Sequence, residues 1–241
     1  MRLTDSQLTP FSVILLAGGM GARMLSPLPK QYLQLQDRPV FSYSLDIFLS
    51  MPELREIVIV CEEAYEPLFQ KSHFNEKMHF ARPGKRRQDS VYSGLLALRE
   101  NEEQLICVHD SARPAIDPTL IRRTVEAADL WDAAVLGVPV KSTIKQCNEQ
   151  QFVSQTLDRT YLWEIQTPQV IRKGLLTKAF DFVHANNLTV TDDVSLVELL
   201  GKPVKIVEGS YKNVKLTTPE DMILIQQLIK NDDLLQIDHC V

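Results

Sequence analysis

Short apolar runs alternate with longer amphipathic stretches along most of the chain. Phe11–Leu16 (FSVILL) and Ile57–Val60 (IVIV) are continuous rather than alternating, the pattern of strands covered on both faces. Met78–Ala81, Ile106–Val108, Ala133–Val138 and Val204–Val207 repeat that signal more weakly. Helical spacing fits about Glu63–Ser72, Asp89–Glu100, Pro118–Leu130, Lys173–Ala185 and Asp193–Leu200. A last helix over Thr218–Ile229 has a strong start signal: Thr218 as cap, Pro219 at the first position and Asp221 at the third. The β-α-β-α rhythm predicts an α/β fold, Rossmann-like, with a mostly parallel sheet flanked by helices.

The rhythm breaks at Pro139. Lys141–Gln169 is polar, with short β-like pieces at Ser142–Lys145 and Phe152–Thr156. Nearly thirty residues without a clear helix are too many for a plain loop in a compact domain. The expectation is one domain over 1–241 with an inserted β-arm at about 140–170.

Composition adds exclusions. Over 241 residues, 26 Lys+Arg face 31 Asp+Glu, a net charge of −5. That acidic balance argues against a duplex nucleic-acid partner, which needs a basic footprint. The four cysteines, Cys61, Cys107, Cys147 and Cys240, are widely spaced and form no zinc pattern. The apolar run near the N-terminus is too short to span a membrane, and no basic leader precedes it. The chain reads as cytoplasmic, with no membrane partner.

Candidate chemistry begins after the first strand, at Ala17-Gly18-Gly19-Met20-Gly21-Ala22-Arg23. A glycine turn leaving a buried strand exposes backbone N–H groups to an anion. The P-loop pattern GxxxxGK[ST] is absent, and Met24 stands where GxGxxG needs its third glycine. Arg23 follows in the loop, and Lys30 comes after the stiffening Pro27 and Pro29. Amides, an Arg fork and a Lys point charge together suit a polyphosphate.

The string AGGMGARM…PKQY resembles the signature of nucleotidyltransferases that activate sugar or polyol phosphates. Lys30-Gln31-Tyr32 resembles more closely the cytidylyltransferases of the non-mevalonate isoprenoid pathway, the 2-C-methyl-D-erythritol 4-phosphate cytidylyltransferases. The resemblance implies that Ala17, Gly18, Gly19 and Gly21 cradle CTP. Pro83–Val91 resembles the family's second nucleotide loop, with Gly84, Arg87 and Ser90 matching its pattern and Pro83 replacing a glycine. Asp110 ends the fourth strand, on the ligand side of a parallel sheet, and suits Mg²⁺ carried by triphosphate oxygens. The family's matching acid does so. The His109-Asp110 pair also occurs in metal phosphohydrolases, but no further His/Asp set accompanies it.

The resemblance further implies that Arg159, Thr167 and Thr191 bind the acceptor phosphate, with the arm reaching across a homodimer. Lys215, just before a capped helix, is implied to reach the α-phosphate. Arg23, Lys30 and Lys215 are then the catalytic cations, and Mg²⁺ the cofactor. The implied reaction joins CTP to 2-C-methyl-D-erythritol 4-phosphate, releasing pyrophosphate. Two alternatives stay open: ribitol 5-phosphate as acceptor, and a nucleotide-binding regulator without catalysis.

Overall fold

The computed structural model describes residues 9–19, 24, 26–72, 75–99 and 103–237, the last seven by backbone alone. Its centre is a seven-stranded sheet ordered β11-β7-β10-β6-β1-β4-β5. The strands are β1 (Phe11–Leu16), β4 (Leu54–Val60), β5 (Met78–Ala81), β6 (Leu105–Asp110), β7 (Ala133–Pro139), β10 (Trp163–Arg172) and β11 (Lys205–Glu208). β1 runs parallel to β4 and β6, β5 parallel to β4, and β11 parallel to β7. β10 runs antiparallel to both its neighbours.

The continuous apolar runs are explained by two cores, one on each face. Alternate residues Phe11, Val13 and Leu15 of β1 face one core, and Ile14 faces the other. On the first face pack Phe41, Leu45 and Phe48 of α1 (Val40–Ser50), Phe69 of α2 (Glu66–Ser72), and Ile121 and Val125 of α4 (Pro118–Trp131). On the second pack Val91 and Leu95 of α3 (Arg87–Ala97), Leu176 and Phe180 of α5 (Lys173–Ala185), and Leu196 of α6 (Val194–Leu199). α3 lies close on the sheet at Gly94, where a methyl group would stand 2.5 Å from Ile14. The last helix, α7 (Pro219–Ile237), starts where its sequence signal predicts: the Asp221 carboxylate accepts the amides of Thr217 and Thr218 at 2.8 Å. Ile225 of α7 closes a third cluster with Leu35, Val40 and Leu216.

Two features differ from the sequence expectation. The arm does not extend to 170. Its hairpin is β8 (Lys145–Cys147) paired with β9 (Val153–Thr156), and Trp163–Arg172 is a ten-residue strand inside the central sheet. β10 was hidden because Gln166, Thr167 and Gln169 are buried polar residues, and their polarity breaks the apolar signature. Second, α1 and the short β2 (Gln34–Leu35) and β3 (Arg38–Pro39) precede β4 without having been predicted. α1 has no side-chain cap, and its serines bond back to carbonyls, Ser42 to Pro39 and Ser50 to Ile47.

Candidate active site

The cleft lies beyond the carboxyl ends of β1, β4, β5 and β6, the ligand side of an open parallel sheet. It encloses about 550 Å³. Among the described residues five cations line it, Lys30, Lys85, Arg86, Arg87 and Lys215, against two acids, Glu62 and Asp110. On a chain of net charge −5 this concentrates positive potential where a polyanion enters.

The first wall is the glycine turn. Its backbone is fixed by the residues that follow Lys30. The Gln31 side-chain amide donates to the carbonyls of Ala17 and Gly19 at 2.6 and 3.0 Å, and the Tyr32 hydroxyl donates to Ala17 at 2.8 Å. Tyr32 is itself clamped, stacked on Tyr65 at 4.0 Å and edge-on to Phe41 and Phe69. Burial pushes its phenol well above the usual range. The KQY triplet thus divides its work: Gln31 and Tyr32 lock the turn, and Lys30 faces the cleft from a 3₁₀ turn.

The second wall is the loop before α3. Ser90 Oγ accepts the Gly84 amide at 3.0 Å and donates to the Arg86 carbonyl, so it holds the turn. The Asp89 carboxylate accepts the Arg86 amide at 3.1 Å and caps α3. Gly84 has no room for a side chain: a methyl would stand 2.3 Å from Asp89 Cβ. Gly18 likewise faces Pro83, whose Cβ lies 2.4 Å from where a methyl would be. The two walls therefore meet at a glycine–proline contact.

The floor is Asp110. Its Oδ1 accepts from Arg87 Nε and Nη2, both at 3.2 Å, and Lys215 Nζ donates to Oδ2. Burial alone would raise this carboxyl, but Arg87 and Lys215 outweigh it and hold it far below the usual carboxylate range. Lys215 is brought there because the irregular segment before α7 is tied to the loop after β6, Leu216 N donating to Ala112 O at 2.8 Å. Beneath Asp110, Thr167 Oγ1 accepts the Asp110 amide and lies 3.1 Å from His109 Nδ1.

Gly18, Gly19, Lys30, Gly84, Arg87, Ser90, Asp110 and Lys215 thus converge on one cleft, with Ala17 buried directly behind. Gly21 and Arg23 lie outside the described residues. Besides Ala17, three predicted positions do not line the cleft. Thr167 is buried under it. Arg159 is exposed in a turn after the arm hairpin, its guanidinium donating to the Lys141 carbonyl. Thr191 is exposed before α6. Asp193 makes no cap bond to its own helix, that part falling to Asp192, whose Oδ1 accepts the Ser195 amide at 3.1 Å; the Asp193 carboxylate instead grips Arg87 at 2.8 and 2.9 Å. Lys85, Arg86 and Thr217 also line the cleft. Their signal was adjacency to the matched Gly84, Arg87 and Lys215.

A glycine-walled, cationic cleft at the carboxyl edge of a parallel sheet, with one buried acid on its floor, defines an α/β protein that binds a nucleotide's phosphates. The model of the 2-C-methyl-D-erythritol 4-phosphate cytidylyltransferase family matches residues 11–231, and the chain belongs to that family. It is 49% identical over 220 residues to the chloroplastic enzyme of that name from Oryza sativa subsp. japonica, covering 90% of this chain and 74% of that one. It is 42% identical over 219 residues to the enzyme from Desulforamulus reducens, covering 89% and 93%. The crystal structure of 4-diphosphocytidyl-2C-methyl-D-erythritol synthase from Anaerococcus prevotii superposes with a TM-score of 0.82 at 29% identity, covering 92% and 96%. That of the Francisella tularensis cytidylyltransferase gives 0.78 at 32% identity, covering 91% and 100%.

Proposed function

We propose that this chain transfers the cytidylyl group of CTP to 2-C-methyl-D-erythritol 4-phosphate, releasing pyrophosphate, as a step of isoprenoid precursor synthesis. The observation that carries the chemistry is the convergence of Lys30, Arg87 and Lys215 around Asp110 in one cleft. The family carries the choice of acceptor.

An oxygen of the acceptor phosphate attacks the α-phosphorus of CTP. The new P–O bond forms as the α–β anhydride bond breaks, and the pair of electrons leaves with pyrophosphate. A phosphate monoester is already anionic near neutral pH, with a second pKa of about 6. No general base is therefore required. Negative charge grows on the α-phosphate oxygens and the leaving group. Lys30 and Lys215, with Arg23 from the same glycine loop, meet that charge, so catalysis is positional and electrostatic.

The residues present fit Mg²⁺. Asp110 is a carboxylate at the cleft floor, each of its oxygens has about two lone-pair directions, and Arg87 and Lys215 take one side of each. Among the described residues no cluster of three His, Cys, Asp or Glu would hold a metal alone. That agrees with an ion held by one acid plus substrate phosphates. When bound, Mg²⁺ would neutralise triphosphate charge. Asp110 would hold it.

Arg159 and Thr191 do not line the CTP cleft in one chain, and exposed Phe152, Val153 and Tyr161 stud the arm and the turn that carries Arg159. This favours a homodimer in which one arm brings Arg159 to the partner's cleft. Among the described residues no helix is long and apolar enough to cross a membrane.

The test is pyrophosphate release with Mg²⁺, using each of the four nucleoside triphosphates against methylerythritol 4-phosphate and ribitol 5-phosphate. Release with CTP and methylerythritol phosphate alone is expected. Release with ribitol phosphate alone overturns the acceptor. CTP binding without release makes the chain a regulator. A second expectation concerns Pro83. Gly18→Ala should weaken CTP binding about tenfold, because overpacking of this kind costs about 1–3 kcal/mol. Adding Pro83→Gly should restore it, since the clash is with the proline ring. Equal weakening in single and double variants would refute the contact.

A further inference from the structure

We propose that Asp193 is a positioning residue that keeps Asp110 available to a divalent cation by occupying Arg87. The inference rests on the nucleotide-and-metal reading of the cleft and assigns a role to a residue outside its lining. Arg87 lies between two carboxylates. Its grip on Asp193 is two-pronged, Nη1 to Oδ1 at 2.8 Å and Nη2 to Oδ2 at 2.9 Å. Its grip on Asp110 is looser, Nε and Nη2 sharing one oxygen at 3.2 Å. Asp193 is 1% exposed, so its attraction for Arg87 is little screened by water.

Asp193 is also delivered from elsewhere in the fold. Gln169 of β10 accepts the amides of Asp193 and Val194 on its Oε1, both at 2.9 Å, which pins the backbone there, and Asp192 Oδ1 caps the helix at the Ser195 amide, which leaves the Asp193 side chain for Arg87. The resulting row of charges alternates: Asp193, Arg87, Asp110, Lys215. Without the first charge, the whole guanidinium charge turns on Asp110. That competes with a cation for the same carboxylate. A carboxamide at 193 keeps the shape and loses this effect.

The readout is the linkage between Mg²⁺ and CTP, which needs no turnover. CTP affinity is measured by calorimetry with Mg²⁺ and again in EDTA, with no acceptor present, and the ratio is taken. Asp193→Asn should lower that ratio about tenfold, the effect of a change of about 1.4 kcal/mol in one close charge interaction. Affinity in EDTA should stay the same or tighten, because the cleft gains net positive charge. A purely structural role would weaken both affinities equally and leave the ratio unchanged, which overturns the proposal. Asp193→Glu, which restores the charge, should restore the ratio. If Asp193→Asn does not fold, Arg87→Gln decides: it frees Asp110, so the ratio should rise above wild type, and a fall or no change refutes the idea. A wild-type ratio of one refutes it too. Absence of turnover with methylerythritol phosphate would defeat the function reading while leaving this linkage measurable; normal turnover with a flat linkage would defeat only the role of Asp193.

Discussion

Replacing Lys30 with alanine is expected to lower turnover about 10²–10³-fold, the usual loss when one donor to developing charge is removed. The melting temperature should hardly change. Lys30 lies at the cleft margin in a turn held by its neighbours, Gln31 and Tyr32, through three bonds to the carbonyls of Ala17 and Gly19. Those bonds survive the substitution. Exposed or half-exposed positions away from a buried network usually shift stability by no more than about 0.5 kcal/mol. Because the ammonium acts on charge that grows during reaction, kcat and kcat/KM should fall together, with KM for CTP nearly constant. Steady-state kinetics beside a thermal melt tests both halves. Wild-type turnover, or a rise in KM alone, would move Lys30 from catalysis to ground-state binding. Tyr32→Phe gives the contrast: it removes the hydroxyl that holds Ala17 O, so it should loosen the turn and raise KM for CTP.

Much of the parallel half of the fold was legible because its strands are buried on both faces and apolar without interruption. β1 is such a strand and falls where the pattern placed it; β5 falls there too, although it is mostly half-buried and carries His79. The antiparallel strand β10 was not legible. It carries Gln166, Thr167 and Gln169 in the interior, each satisfied by partners far along the chain: Ser210, Asp110 and Asp192. Polarity at buried positions is a tertiary bargain that no local window contains. The site followed the same division. The glycine turn and Asp110 sit at strand ends, Lys30 opens a 3₁₀ turn and Lys215 lies a few residues before α7, where pattern and motif coincide. Asp193 only opens an apolar helical run, and nothing in its local sequence marks it as part of the site. Its true partner, Arg87, is 106 residues away. Arg159 and Thr191 show the opposite case, since their motif was readable while a single chain leaves them outside the cleft.

Acid is expected to destabilise this protein well above the range where carboxylates titrate, and His109 is the cause. Its ring is fully buried, edge-on to Phe48, with Nε2 at 3.2 Å from the Arg113 carbonyl and Nδ1 at 3.1 Å from Thr167 Oγ1. The network assigns the neutral tautomer with hydrogen on Nε2: Nε2–H donates to Arg113 O, and Nδ1 accepts from the Thr167 hydroxyl. That hydroxyl oxygen accepts the Asp110 amide in turn. Burial, helped by the Arg113 and Lys215 cations and opposed by Asp110, pushes the imidazole down to about 4. In the unfolded chain it titrates near 6.5. Between those values the unfolded chain binds a proton that the native state refuses, so stability falls as pH falls. The contribution is complete above about pH 6.5 and lost by about pH 4, at about 1.4 kcal/mol per unit, or about 3 kcal/mol in all. The depressed carboxylate of Asp110 loses its contribution only below the usual carboxylate range, so the two windows separate. Denaturant unfolding at pH 7, 6, 5 and 4.5 should show that decline in the wild-type chain. His109→Gln does not titrate and offers an amide donor toward Arg113 O, so its stability should be lower at pH 7 and nearly flat down to pH 4.5. Parallel slopes in the two proteins would mean that the acid sensitivity arises elsewhere. A flat wild-type curve would mean that the imidazole accepts its proton inside the fold, with Thr167 turning its hydroxyl away and loosening its hold beneath Asp110.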